Sequence, residues 1–274
     1  GGWHLMRSEH KEIMKARRRN IRLTVAYDGT AYHGFQRQTP PIVAIQNVLE
    51  EKLAVVFGDA IELAAAGRTD AGVHAYGQVV NFFTDGTIPV DRIVRAVNSL
   101  LPSGIVVRTA AEADREFSAR HCARRKTYID RIQQGEVPDP FTRQYAWYIR
   151  RDLDVAAMQE AMQCLLGTHD FSSFRAAGGA PMSPVRTMDA VSCVRAGTQV
   201  ELRFRASGFL YHMVRNLVGT LVKVGLGYME PVDFAAVLAA CDRQQAAATA
   251  PACGLYFFEV EYDGLRCSAD DLEA

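Results

Sequence analysis

The chain has 274 residues, room for one large domain or two ordinary ones, and 49% of them are hydrophobic, which excludes a disordered chain and allows a sizeable core. No apolar run is long enough to span a membrane, and no secretory h-region stands near the start. The 31 basic residues balance the 31 acidic ones, yet that zero hides a gradient: KARRRNIR (15–22) and RHCARRK (120–126) are basic, and the tail FEVEYDG…SADDLEA is acidic.

A neutral total is therefore compatible with a basic cleft that meets phosphates, although each run taken alone reads as a solvated face. The six cysteines (Cys122, Cys164, Cys193, Cys241, Cys253, Cys267) are scattered without a C-x-x-C pair. That spacing argues against zinc and against a disulfide framework, and points to buried thiols in a reducing cytoplasm.

GGWHLM is left out of the fold argument. IRLTVAY (21–27) alternates Ile21, Leu23, Val25 and Tyr27 with Arg22, Thr24 and Ala26 and reads as a half-buried strand. DGTAYHGFQRQTPP follows as a loop. IVAIQNVLEEKLAVVF places Ile42, Ile45, Leu49, Leu53 and Val56 on one helical face. IELAAA (61–66) and GQVVNFF (77–83) read as strands around AGRTDAGVHA (66–75), a connection too long for a tight hairpin turn. DRIVRAVNSLLP (91–102) reads as a helix with Asp91 as N-cap and Pro102 beyond its end, and GIVVRTA as another strand.

The second half repeats much of this order. KTYIDRI (126–132) is a strand, followed by an irregular stretch through PDPFTRQ and YAWYI. DLDVAAMQEAMQCLL (152–166) is an amphipathic helix closed by Gly167. MDAVSCVRA and QVELRFRAS form a hairpin over Gly197, FLYHMVRNLVGTLVKV a helix, PVDFAAVLAACD a helix opened by proline, and LYFFEVEY a last strand. Hairpin strands with interspersed helices predict an α+β fold with mostly antiparallel pairing. The matching order predicts two halves, 20–112 and 120–264, joined through the charged EADREFSAR (112–120).

The loop 66–75 carries the chemistry best. Asp70 can cap its own turn, but Arg68 stands two residues before it in a glycine-flanked loop. An arginine near a carboxylate favours the ionised form, which serves as nucleophile or base. His74 and His169 read as structural, since no second pair of ligands sits at a familiar metal spacing. Tyr128 begins a strand beside a basic run, where aromatics are usually core but also stack unpaired bases. Arg215 lies on a polar helix face with His212, Asn216 and Gly219, either as a surface charge or as the partner of a buried carboxylate. No nucleophile elbow, Walker loop or dinucleotide fingerprint is present. Two further readings stay open: a metal-dependent nuclease using Asp28, Asp70 and His74, and a non-catalytic RNA-binding module.

Together A-G-R-T-D-A-G-V-H-A, Y-D-G-T-x-Y-x-G-F-Q, R-K-T-Y, G-x-H-D-F-S-S-F-R and H-M-V-R-N-x-V-G resemble the bacterial TruA-type tRNA pseudouridine synthases, from about residue 21 to residue 262. The resemblance implies two ferredoxin-like halves that form one mostly antiparallel eight-stranded sheet, with helices on one face and a central RNA-binding cleft. It implies a homodimer that grips tRNA, and a cofactor-free, metal-free isomerisation of uridine to pseudouridine at positions 38–40 of the anticodon stem-loop. By motif, Asp70 would attack the uridine, Arg68 would displace the base, Tyr128 would stack on it, Arg215 would pair with Asp70, and Leu255 would pack against the base. Lys15, Arg17, Arg18, Arg124, Arg125 and Lys126 would meet phosphates. Family members often carry an aromatic two residues after the R-K-x-Y tyrosine. Asp130 stands there in this chain, on the same strand face as Tyr128, and bears on the polarity of the pocket.

Overall fold

Alternating apolar residues build the core face of the first strand. Ile21, Leu23 and Val25 are fully buried on β1 (Arg19–Tyr27), and the computed structural model describes residues 2–263 and 265–267. The chain is mixed α+β and divides into two units. One runs through Ala123 and takes up the chain again at Glu259; the other is Arg124–Phe258.

In the first unit β1 lies between β3 (His74–Thr84) and β4 (Ile105–Ala113), antiparallel to both, and the short β2 (Ala64–Ala65) pairs with β3. The helix α1 (Gly2–Lys15) precedes β1 and includes the segment set aside in the sequence reading. On α2 (Ile45–Phe57) the buried stripe is Ile45, Leu49, Leu53 and Phe57, a strict spacing of four. Ile42 lies before the helix and is exposed, and Phe57 takes the place expected for Val56. Gly58 ends the helix in the left-handed region at φ 74°, its N–H bonded to the Ala54 carbonyl. The next helix, α3 (Val90–Asn98), starts one residue before the expected cap. Pro89 holds the cap position, and Asp91 sits in the first turn, where the helix dipole favours it.

In the second unit β5 (Arg125–Gln134) pairs antiparallel with β9 (Gln199–Ala206), β9 with β8 (Val185–Ala196), and β8 with β7 (Gly167–Asp170). The β8–β9 turn contains Gly197 at φ 61°. YAWYI is not irregular throughout: Trp147–Ile149 forms β6, parallel to β5. α4 (Val155–Met162) packs on β8 and against α5 (Met213–Gly225) and α6 (Pro231–Ala240). A side chain at Gly225 would meet Met158 Sδ at 2.6 Å, so glycine is what lets α5 approach α4. α5 begins at Met213, later than the apolar pattern of FLYHMV suggests, because His212 takes the left-handed conformation at φ 57°. β10 (Leu255–Tyr262) changes unit after Phe258, and its end pairs with β11 (Leu265–Cys267).

The thiols of Cys122, Cys164, Cys193, Cys241 and Cys253 are unbridged; Cys193 is buried and pushed up to about 12 by that burial, whereas Cys241, expected to be buried, is exposed. The acidic SADDLEA (268–274) and the side chain of Cys267 lie outside the described residues. No helix among the described residues is long and apolar enough to cross a membrane.

Asp154 caps α4 by accepting the Ala157 N–H at 3.0 Å. Asp154→Ala is expected to lower stability by about 1 kcal/mol. Urea denaturation checks it: the midpoint should fall while the slope stays constant.

Candidate active site

The loop that joins β2 to β3 is held mainly through its backbone. The Gly67 carbonyl accepts from Gln78 Nε2 at 2.7 Å, the Thr69 carbonyl from the Phe35 N–H at 3.1 Å, and the Asp70 carbonyl from the Val73 N–H at 3.1 Å. Thr69 Oγ1 and the Tyr27 hydroxyl, both buried, lie 2.7 Å apart. Two glycines of the segment after β1 press on the same loop. A side chain on Gly29 would run into the Val73 carbonyl, and one on Gly34 would stand 2.8 Å from the Thr69 carbonyl. Gly34 also needs its φ of 81°. The same segment is tied to α2, since the Gly34 and Phe35 carbonyls accept from the Ile45 and Gln46 N–H groups. Y-D-G-T-x-Y-x-G-F-Q is thus the support of A-G-R-T-D-A-G-V-H-A. On that support Asp70 is half-buried and Arg68 is exposed.

His74 is part of the support. It is buried, and its Nδ1 accepts the Gly29 N–H at 2.9 Å with Asp28 Oδ1 at 3.4 Å. His169 Nε2 lies 2.7 Å from the Leu166 carbonyl, and Asp170 accepts the Ser172 N–H, a capped turn. Among the described residues no three His, Cys, Asp or Glu side chains gather as they would around a metal ion.

Tyr128, Asp130, Arg215 and Leu255 belong to the second unit. The Tyr128 ring is buried on β5, with Phe209 edge-on at 5.0 Å and Phe257 tilted at 5.0 Å. Leu255, buried, opens β10. Arg215, half-buried in the first turn of α5, donates from Nε to the Ala250 carbonyl at 2.9 Å, and its own carbonyl accepts the Ala250 N–H at 3.0 Å. One turn later Gly219 allows the Ala248 carbonyl against the helix. Asn216, fully buried, donates to the Phe174 carbonyl and accepts from Thr249 Oγ1 and Arg243. Of these, Asn216 and Gly219 stand on the polar face read from the sequence, whereas the segment 248–250 was not singled out there. Its signal was Gly219, four residues after Arg215 on one helix face.

Asp130 is 0% exposed, and neither carboxyl oxygen has a hydrogen-bond partner. Burial pushes its carboxyl well above the usual carboxylate range, and the Arg215 charge draws it down by less.

The basic residues expected to meet phosphates differ in their surroundings. Arg17 is largely buried against its own unit, bonded to the Ala60 and Phe83 carbonyls and 3.5 Å from Asp59. Arg125 stands 2.5 Å from Asp189. Arg18, beside Asp85 at 3.7 Å, is 71% exposed along its side chain. Lys15 and Arg124 are exposed and Lys126 is half-buried.

A family model described as tRNA pseudouridine synthase matches residues 23–137 and 161–263. The chain belongs to that family. It is 45% identical over 244 residues to tRNA pseudouridine synthase A of Brevibacillus brevis, covering 89% of this chain and 100% of that protein. The enzyme of the same name from Exiguobacterium is 44% identical, over 89% of this chain and 98% of its own, and that of Acetivibrio thermocellus 41%, over 89% and 100%. The reaction of this tRNA pseudouridine synthase is the isomerisation of uridine to pseudouridine in tRNA.

Asp130 makes stability depend on pH in a definite direction. Below about pH 4 it is protonated in the folded and unfolded chain alike and costs nothing in charge. As pH rises, the unfolded chain releases that proton first, so the wild type loses about 1.4 kcal/mol per pH unit relative to Asp130→Asn until the folded carboxyl ionises too. Urea denaturation of both proteins across a pH series checks it; a gap independent of pH would refute the buried, protonated assignment.

Proposed function

We propose that Asp70 is the nucleophile of the isomerisation and that Arg215 is the ion-pair partner that positions it. Arg68 displaces the target base, Tyr128 stacks on it, and Leu255 packs against it. The target lies at positions 38–40 of the tRNA anticodon stem-loop. The reading includes the two ferredoxin-like halves with one eight-stranded sheet and a central RNA cleft, a homodimer, and a cytoplasmic setting.

The observation that carries this reading is the backbone-held loop 67–73. The Gly67 and Thr69 carbonyls and the Thr69 hydroxyl are bonded to the surrounding fold, and the Asp70 carbonyl closes a turn on Val73, so the Asp70 side chain is presented on a fixed frame. A nucleophile placed in advance spares the reaction much of the entropy of orientation. The N1–C1′ bond breaks, the base turns, and C5 joins C1′; the hydrogen on C5 leaves as a proton and N1 gains one. Electrons and atoms balance with no oxidant, reductant or phosphoryl donor. Taking the base out of its stack costs a few kcal/mol, least where pairing is weak, as in an anticodon arm.

Tritium release from tRNA labelled at C5 of its anticodon-arm uridines tests the assignment. Asp70→Asn is expected to lower the rate on the order of 10⁴-fold or more, as removing a catalytic nucleophile does, with tRNA binding retained. Release at the wild-type rate by a folded Asp70→Asn would overturn it.

Lys15, Arg18 and Arg124, the exposed members of the basic set, are assigned the phosphate contacts. Arg18→Gln and Arg124→Gln are each expected to reduce the slope of log affinity against log salt by about one. Filter binding at several salt concentrations checks this, with Arg17→Gln expected to act through stability instead.

A further inference from the structure

We propose that Asp130 is a positioning residue for Arg215, a second carboxyl that leaves the guanidinium to Asp70 while it holds its proton and competes for it once the proton is lost. The inference rests on the proposed pairing of Arg215 with Asp70.

The geometry begins on β5. Asp130 is two residues beyond Tyr128, on the same face, and its register partner on β9 is Leu202, itself fully buried. A glycine packs close beside it: a side chain at Gly254 would stand 2.8 Å from Asp130 Oδ1 and 2.7 Å from the Arg131 carbonyl. The carboxyl is sealed from water and both its oxygens are without hydrogen-bond partners. Buried polar groups are nearly always satisfied, so an orphaned one in a native fold calls for an explanation.

The charged and titratable groups that act on Asp130 are few. From α5 comes Arg215; from the turn before β10 comes Cys253, whose thiol is pushed up by its own burial and further by Asp130. On β5 itself Tyr128 and the half-buried Lys126 share the face. Arg131 and Arg203 alternate to the other face, where they lie over the rings of Tyr256 and Phe258 and beside Glu201. Arg215 is the cation whose charge draws on Asp130. A protonated Asp130 makes no claim on that charge. An ionised one, desolvated and without other donors, makes a strong one, because attraction rises as the local dielectric falls.

The competition acts on the nucleophile's partner, so it belongs in kcat and leaves KM for tRNA unmoved. The experiment measures kcat and KM by tritium release for the wild type and Asp130→Asn from about pH 6 to about pH 10. Asparagine fills the same space and cannot ionise. The ratio of the Asp130→Asn kcat to the wild-type kcat is expected to rise about tenfold per pH unit once Asp130 begins to ionise. A ratio constant across the range, or a pH dependence carried by KM, overturns the proposal. If thermal melting shows Asp130→Asn unfolded, Asp130→Leu supplies the same comparison. An inactive Asp70→Asn together with a constant ratio sinks this inference alone, whereas a fully active Asp70→Asn sinks the assignment on which it rests.

Discussion

The contact on which the Asp70 loop depends is between two backbones. Gly29 lies against the Val73 carbonyl and Gly34 against Thr69 and Asp70, closer than any side chain would permit. The loop that bears Asp70 cannot be held that way by side chains reaching from afar, since each would add rotamers to be fixed. Its own carbonyls, which must find partners anyway once they leave water, take the Phe35 N–H at Thr69 and the Gln78 side-chain amide at Gly67. The same bonds that satisfy those groups therefore also set the carboxylate's position. The Tyr27 hydroxyl follows the same economy: burial pushes its phenol well above the usual range, so it stays neutral and is satisfied by Thr69.

The second unit solves the corresponding problem with a helix. Arg215 could swing on its long side chain, but Nε is fixed to the Ala250 carbonyl, and the Ala250 N–H is fixed to the carbonyl of Arg215 itself. That reciprocal pair requires residues 248–250 to lie on the helix surface, which Gly219 permits. Asn216 then binds Thr249 and Arg243 in the interior, and Thr220 accepts the Ala247 N–H. A guanidinium anchored by one of its five donors keeps the others directional, which is what a planar fork needs to meet a carboxylate.

Much of this was legible in the sequence because it is periodic or punctuated. Alternation exposed β1, and Gly197 and Pro231 marked boundaries that the fold keeps. Five motifs in order marked the family, which the comparisons show. Other features left no local trace. The late start of α5 depends on a left-handed histidine, a conformation that no pattern of apolar residues reveals. A three-residue parallel strand such as Trp147–Ile149 is too short for alternation to register. The sequence places Asp130 on the face of Tyr128, but its complete burial comes from chain that lies more than a hundred residues away at Gly254. Basic runs were the least decisive, because the sequence cannot separate Arg17, spent on Asp59 and two carbonyls, from Arg18, exposed beside it.

That separation bears on how a chain with no net charge holds a polyanion. Equal numbers of acidic and basic residues give no monopole to draw tRNA from a distance, and beyond about 8–10 Å physiological salt would screen one in any case. Affinity then has to come from charges that the chain does not neutralise itself. Arg17 and Arg125 are already matched with Asp59 and Asp189, and moving either to a phosphate would break that pairing and, for Arg17, its bonds to two carbonyls. Arg18 has an exposed 3.7 Å pairing with the Asp85 carboxylate and a 3.2 Å bond to the Asp85 carbonyl to give up, and such surface contacts are worth little in water. The exchange of Asp85 for a phosphate is therefore nearly free of cost at Arg18 and costly at Arg17. Under the proposed assignment, a neutral composition leaves RNA contact to a few exposed cations, and lets the others stabilise the fold.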